Sequence, residues 1–174
     1  MPPVDLHAEF WRAIRFAKAL PPPVVLGLTE QGFTRRVQWG LARVSFYGEH
    51  GRQYEPAPDG RAMAFIVPVV EGGDTVDLCA IDMITQHVGT RLGLGRALGQ
   101  PAVDEARFGS PLKLMARPLD WLRDPIGSVY LFNFATLPIA LDGVSEIVCA
   151  SIELAERAQA LLPPSESDRV VVTE

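Results

Sequence analysis

Asp77, Asp82 and His87 lie together in the stretch VDLCAIDMITQHVGTRLGLGRALG, residues 76–99. Carboxylates and imidazoles are ligand types for divalent ions. Acids at strand ends can hold Mg²⁺ or Mn²⁺ while a substrate phosphate completes the coordination shell. Side chains five apart on one extended strand point to opposite faces. Asp77 and Asp82 could therefore share an ion only across a bulge, or if the strand ended before Asp82, with His87 reaching back from the following loop. No D…E-x-K, H-x-H or H-E-x-x-H motif accompanies them. The plain reading has Asp77 facing solvent near a hairpin and Asp82 ending a strand. The chemical reading makes the three residues candidates for metal-dependent phosphoryl transfer or hydrolysis.

The glycines of the same stretch suggest a second chemistry. Gly89, Gly93 and Gly95 resemble the G-x-x-x-G-x-G turn of short-chain dehydrogenases, where the backbone approaches a pyrophosphate at a helix N-terminus. That turn belongs near the start of a βαβαβ array, yet only 79 residues follow Gly95. The Tyr-x3-Lys pair of that family is missing, because Phe134 stands four places after Tyr130 and the only lysines are Lys18 and Lys113. The alternative G-x-G-x-x-G pattern fails at Leu98. No cofactor is expected. Nucleophilic catalysis has still less support: there is no G-x-S-x-G, and neither Cys79 nor Cys149 has a histidine nearby. His7 falls on the polar face of a helix and His50 in a polar turn.

A third chemistry is nucleic-acid binding. Arg35, Arg36 and Arg43 interleave with Trp39, Phe46 and Tyr47, and Arg91, Arg96 and Arg107 follow the glycine run. Arginines beside aromatic rings can clamp phosphates and stack bases. However, a genome rich in G and C also substitutes Arg for Lys, and alternating aromatics on a strand more often form core. Arg35, Arg36, Trp39 and Arg43 are the candidates, but nucleic acid is not the favoured partner. Net charge of −5 argues the same way, because residues 142–174 alone carry seven acids against Arg157 and Arg169. That face is unsuited to a phosphate backbone.

The elements that must position these residues follow from the bulk properties. A chain of 174 residues with 48% hydrophobic and 21% charged residues suits one globular domain. Fifteen Gly and 15 Pro favour turns and short elements. The longest uncharged stretch, residues 125–141, is short of a membrane span and broken by Pro and Gly. No secretory signal opens the sequence, so two reduced, buried thiols in a cytoplasmic protein are expected.

Leu6, Phe10, Ala13, Ile14, Ala17 and Leu20 recur at helical spacing, with Asp5 as cap and PPP at 21–23 as stop. After a loop-like GLTEQG, residues 35–48 read as a strand. EPAPDG is a turn, and residues 61–70 and 75–84 form a hairpin across EGGD. Pro68 belongs on an edge or at a bulge. A short helix over 116–124, a strand over 128–134, a strand EIVCA, a helix capped by Ser151 and an edge strand RVVVT complete the pattern. The expected fold is a single α+β domain over 1–174, with a mainly antiparallel sheet of about five or six strands and helices packed on it. Its parts are an N-terminal helix and Pro-rich stop (1–23), a sheet-rich core (35–134) and an acidic C-terminal segment (145–174).

The phrases PVVEGGDTVDLCAID, GTRLGLGRALG and RPLDWLRD resemble small bacterial proteins of unknown function that recur in phage-derived or mobile segments. The resemblance spans roughly residues 35–150. It implies a setting and carries over no catalytic residue. The sequence therefore favours a small accessory protein acting by binding, to a protein partner or to itself, without catalysis of its own and without a membrane. The competing reading is the metal-dependent enzyme built on Asp77, Asp82 and His87.

Overall fold

The computed structural model describes residues 3–33 and 37–173, with Val25 and Leu26 as backbone only. The chain divides into two compact units, Met1–Gly95 and Arg96–Glu174. No linker composition marks the division, which falls inside the glycine run.

In the first unit, α1 (Leu6–Lys18) begins where Asp5 accepts a 2.9 Å hydrogen bond from the Ala8 amide. Glu9 in the first turn and Arg15 and Lys18 in the last suit the helix dipole. The three prolines end α1 but also start a second helix, α2 (Pro22–Glu30), in which Pro22 occupies the first turn. There its missing N–H costs nothing. The expected loop at GLTEQG is therefore helical through Glu30.

Five strands follow: β1 (Gly40–Tyr47), β2 (Gln53–Pro56), β3 (Ala62–Glu71), β4 (Asp74–Asp82) and β5 (Val88–Thr90). They close into a barrel in the ring order β1-β2-β5-β4-β3. Four of the pairings are antiparallel, and β2 meets β5 in parallel. Closure removes the sheet edges that a five-stranded open sheet would expose. One set of alternating side chains (Val44, Tyr54, Ala64, Ile66, Leu78 and Ala80) packs with Phe10, Ala13 and Ile14 of α1. The helix passes so near β1 that a Cβ on Gly40 would lie 2.5 Å from the Ala13 carbonyl carbon.

The hairpin between β3 and β4 is closed by Gly72 and Gly73, at φ 59° and 90°. Two consecutive positive φ angles are what the tight hairpin turn requires. Pro68 lies beyond Ile66, where pairing with β1 stops, so its missing donor faces an edge as expected. A bulge sits between Val69 and Val70, leaving Val76 unpaired on β4. From Asp77 to Asp82 the alternation is unbroken.

The second unit comprises β6 (Ala97–Leu98), α3 (Gln100–Ala106), β7 (Leu112–Leu114), α4 (Pro118–Arg123), β8 (Ser128–Leu131), α5 (Leu137–Ala140), β9 (Ile147–Cys149), α6 (Ile152–Gln159) and β10 (Val170–Val172). Its sheet has the order β10-β9-β7-β8-β6. β7 runs parallel to β8 and β9, β9 runs parallel to β10, and β6 is antiparallel to β8. Leu112, Leu114, Val129, Ile147 and Cys149 form its core with Leu154, Ala155 and Ala158 of α6. Ser151 caps α6 by accepting from the Leu154 amide at 3.2 Å.

The protein is thus α+β, but its sheets are mixed rather than mainly antiparallel. The physical reason lies in element length. Strands of three residues carry no readable alternation, and crossover helices such as α5 complete barely one turn. Among the described residues no helix is long and apolar enough to cross a membrane.

Candidate functional site

Asp77 is fully buried, not solvent-facing as the plain sequence reading had it. Its Oδ1 accepts from its neighbour Leu78 at 2.8 Å and from the Leu92 amide at 2.9 Å. Oδ2 accepts from the amides of Leu94 at 2.8 Å and Gly95 at 3.1 Å. Gly93, between these donors, has φ 76°, the left-handed conformation that lets neighbouring amides converge. The glycine turn is therefore an anion cradle, and the anion in it is the chain's own carboxylate. A bulge one residue earlier aims Asp77 to that side of the strand.

Asp82 ends β4, as expected, and points to the other face. Its Oδ1 accepts from the amides of Ile84 and Thr85, both at 2.8 Å, closing the turn into β5. The His87 ring sits 2.8 Å from the Gly51 carbonyl through Nε2, which fixes that nitrogen as the donor. Its ring is edge-on to Phe46, with centroids 4.7 Å apart. The three side chains take three separate sets of partners, and among the described residues no His, Cys, Asp and Glu cluster could hold a metal ion. Cys79 and Cys149 are both buried. Burial, with the charge of Asp77 behind it, pushes the Cys79 thiol well above its ordinary value, and burial pushes Cys149 up to about 11. Neither is poised as a thiolate.

Of the aromatic and arginine candidates, Arg35 and Arg36 lie outside the described residues. Trp39 is half-buried and packs edge-on against Phe65, centroids 5.2 Å apart. There it helps to cover β3. Arg43 is exposed on β1 and donates through Nη1 to the Gly60 carbonyl at 3.2 Å.

Arg43 also belongs to a constellation that spacing does not reveal. Between α1, β1 and the segment after β2 lies a cleft of about 410 Å³. Phe16, Leu41, Ile66, Pro56 and Pro58 give it apolar walls, and Glu9, Arg12, Arg43 and Tyr54 are its polar groups. Glu9 is held from two sides: Arg91 Nε donates to Oε2 at 2.9 Å and the Tyr54 hydroxyl donates to Oε1 at 3.1 Å. The Arg91 and Glu9 side chains are only 15% and 11% exposed, well outside the range of a solvent-screened surface pair. Burial first, then the neighbouring Glu9 charge, pushes the Tyr54 phenol far above its ordinary range. Burial works against the Arg91 cation, but its hydrogen bond to Glu9 and the Glu9 charge outweigh this and raise its pKa.

Sequence reading places Glu9 on the solvent side of an amphipathic helix and assigns no strand to Tyr54. Nothing in the spacing of residues 9, 54 and 91 announces that they meet. The one available signal is a tyrosine in an otherwise polar stretch, RQYEP. No family model matches this sequence, and neither a curated protein nor a solved structure is similar to it.

Proposed function

We propose that the protein acts by binding, and that the cleft beside α1 is where the first unit takes a small ligand. The observation that carries this reading is the fate of the polar candidates. Asp77, Asp82 and His87 are each engaged with backbone groups of the fold, whereas Arg12 and Arg43 line an open cleft beside the Glu9 that Arg91 and the buried Tyr54 hold. Its volume falls within the usual range for pockets that bury small organic molecules, and mostly apolar walls with a few placed polar groups are the usual lining. The proposed setting is a cytoplasmic accessory role in a phage or mobile-element context.

Calorimetric titration of the full chain with naphthalenemethanol, a neutral aromatic alcohol, tests the reading. Saturable binding is expected, and Ala57→Trp, on the half-buried wall, should abolish it. Binding indifferent to Ala57→Trp, or no saturable binding of the alcohol or of its carboxylate and phosphate analogues to the wild type, overturns the cleft as the site. A thermal-melt series with Mg²⁺, Mn²⁺ and Zn²⁺ checks the opposite class of function. A stabilisation lost in Asp82→Ala would overturn a role in binding alone.

A further inference from the structure

We infer that the cleft selects a small organic anion, an apolar body carrying a carboxylate or phosphate-monoester head. This rests on the binding reading above and adds the sign of the ligand's charge. Among the described residues Glu9 is the only acid lining the cleft, and both of its oxygens already accept hydrogen bonds, from Arg91 and from Tyr54. It therefore offers little to a cation. The Tyr54 hydroxyl donates inward to Glu9, so it too is engaged.

What remains for a ligand is positive. Arg12 comes from α1 and Arg43 from β1, on different walls of the cleft. Among the described residues Arg12 has no hydrogen-bond or salt-bridge partner, and Arg43 is tethered by one Nη to the Gly60 carbonyl. A guanidinium has five N–H donors, so that tether orients Arg43 while leaving donors for a second acceptor. Counting Arg91, which is paired with Glu9, three guanidiniums stand against one carboxylate in and beside the cleft. The surrounding Phe16, Leu41, Ile66 and prolines lower the local polarity, which strengthens attraction for an anion relative to open solvent. The apolar walls require a body as well as a charge. Inorganic phosphate alone would leave them wet.

Four probes of one shape decide the matter by calorimetry on the full chain: naphthoate, naphthyl phosphate, naphthalenemethanol and naphthylmethylammonium. At least one anion should bind about tenfold or more tightly than the alcohol, and the ammonium more weakly than the alcohol. Arg12→Gln and Arg43→Gln should each weaken the anion by about three- to tenfold and leave the alcohol unchanged. Added salt should weaken the anion alone, since both guanidiniums are reached by solvent. Whichever anion binds more tightly identifies the head group. Equal affinity for anion and alcohol, or Arg variants with unchanged anion affinity, would overturn the anion selectivity while leaving the cleft itself intact. Anion binding that survives Ala57→Trp would overturn it as well, by placing the anion elsewhere. Loss of all binding in the wild type would instead bring down the cleft reading.

Discussion

Asp77 and Glu9 are both acids set into apolar surroundings of the first unit, but the groups that meet them differ in kind. Asp77 receives four backbone amides, three of them from the turn at residues 92–95. Glu9 receives two side chains, Arg91 and Tyr54, at the floor of an open cleft. Backbone donors are fixed by the path of the chain, so an acid among them shapes that path. Side-chain donors have been placed there by residue choice, and beside a cleft they set its charge and its chemistry. The first carboxylate shapes the path of the chain, and the second lies at the proposed site.

The comparison is broken most severely at Asp77. Asp77→Ala removes the fully buried acceptor shared by the Leu92, Leu94 and Gly95 amides, and should cost about 3–5 kcal/mol in denaturant-unfolding free energy. Asp77→Asn keeps one carbonyl oxygen but sets an NH₂ against an amide donor, and should cost somewhat less. Anion probes should still bind whatever fraction of either variant remains folded. A loss below about 1 kcal/mol in Asp77→Ala would show that water can enter the turn and replace the carboxylate.

The contrast also explains what could be read from the sequence. Helix α1, its Asp5 cap, the EGGD hairpin, the edge position of Pro68 and the Ser151 cap were all legible, because each depends on residues close together in the chain. Barrel closure was not, since β2 and β5 offer four and three residues and meet in parallel at Gln53 and Thr90. Of the candidate site, only Arg43 and Arg91 stood out in the sequence. Glu9 meets Arg91 across 82 positions, and its helical spacing points it to solvent. Asp77 was noticed as a possible metal ligand, and not as the acceptor of four backbone amides. Every residue except proline carries an amide N–H, so the donors that define its role leave no mark in residue identity.

Next in size are changes at the Glu9–Arg91 pair. Arg91→Met leaves a mostly buried carboxylate without its counter-ion and should cost about 1.5–3 kcal/mol. The double variant Glu9→Gln with Arg91→Met should recover part of that loss, giving a coupling of about 1–2 kcal/mol in a double-mutant cycle. Additivity of the two changes would mean that the pair is no tighter than a surface contact, and the distinction between the two acids would lose one of its sides.

Tyr54→Phe should cost about 1 kcal/mol at neutral pH, one hydrogen bond to a charged acceptor less the gain of burying a ring without a hydroxyl. Its pH dependence is more telling. The folded protein holds the Tyr54 proton beyond the ordinary tyrosine range, whereas the unfolded chain releases it near about pH 10. The folded state therefore binds more protons above that pH, and stability must fall as pH rises. The wild type should lose stability more steeply than Tyr54→Phe in alkali. Tyrosinate absorbance should show one of the three tyrosines ionising only as the protein unfolds. Parallel slopes for the two proteins would place Tyr54 in contact with solvent.

Asp82→Ala should have the smallest effect, about 0.5–1 kcal/mol, although Asp82 accepts two amides at 2.8 Å, as short as any made by Asp77. The reason is access. The Ile84 and Thr85 amides lie in an exposed turn, and water can take the place of the lost carboxylate there. The Asp77 carboxylate, by contrast, is fully buried, so the bonds from Leu94 and Gly95 end on oxygens out of contact with solvent. Two aspartates on one strand, each accepting from backbone amides, should thus differ severalfold in cost. A chemical-denaturation series across Asp77→Ala and Asp82→Ala measures that ratio directly. Equal losses would mean that the β4–β5 turn is as closed to water as the glycine cradle, and that hydrogen-bond geometry rather than solvent access decides what a carboxylate contributes.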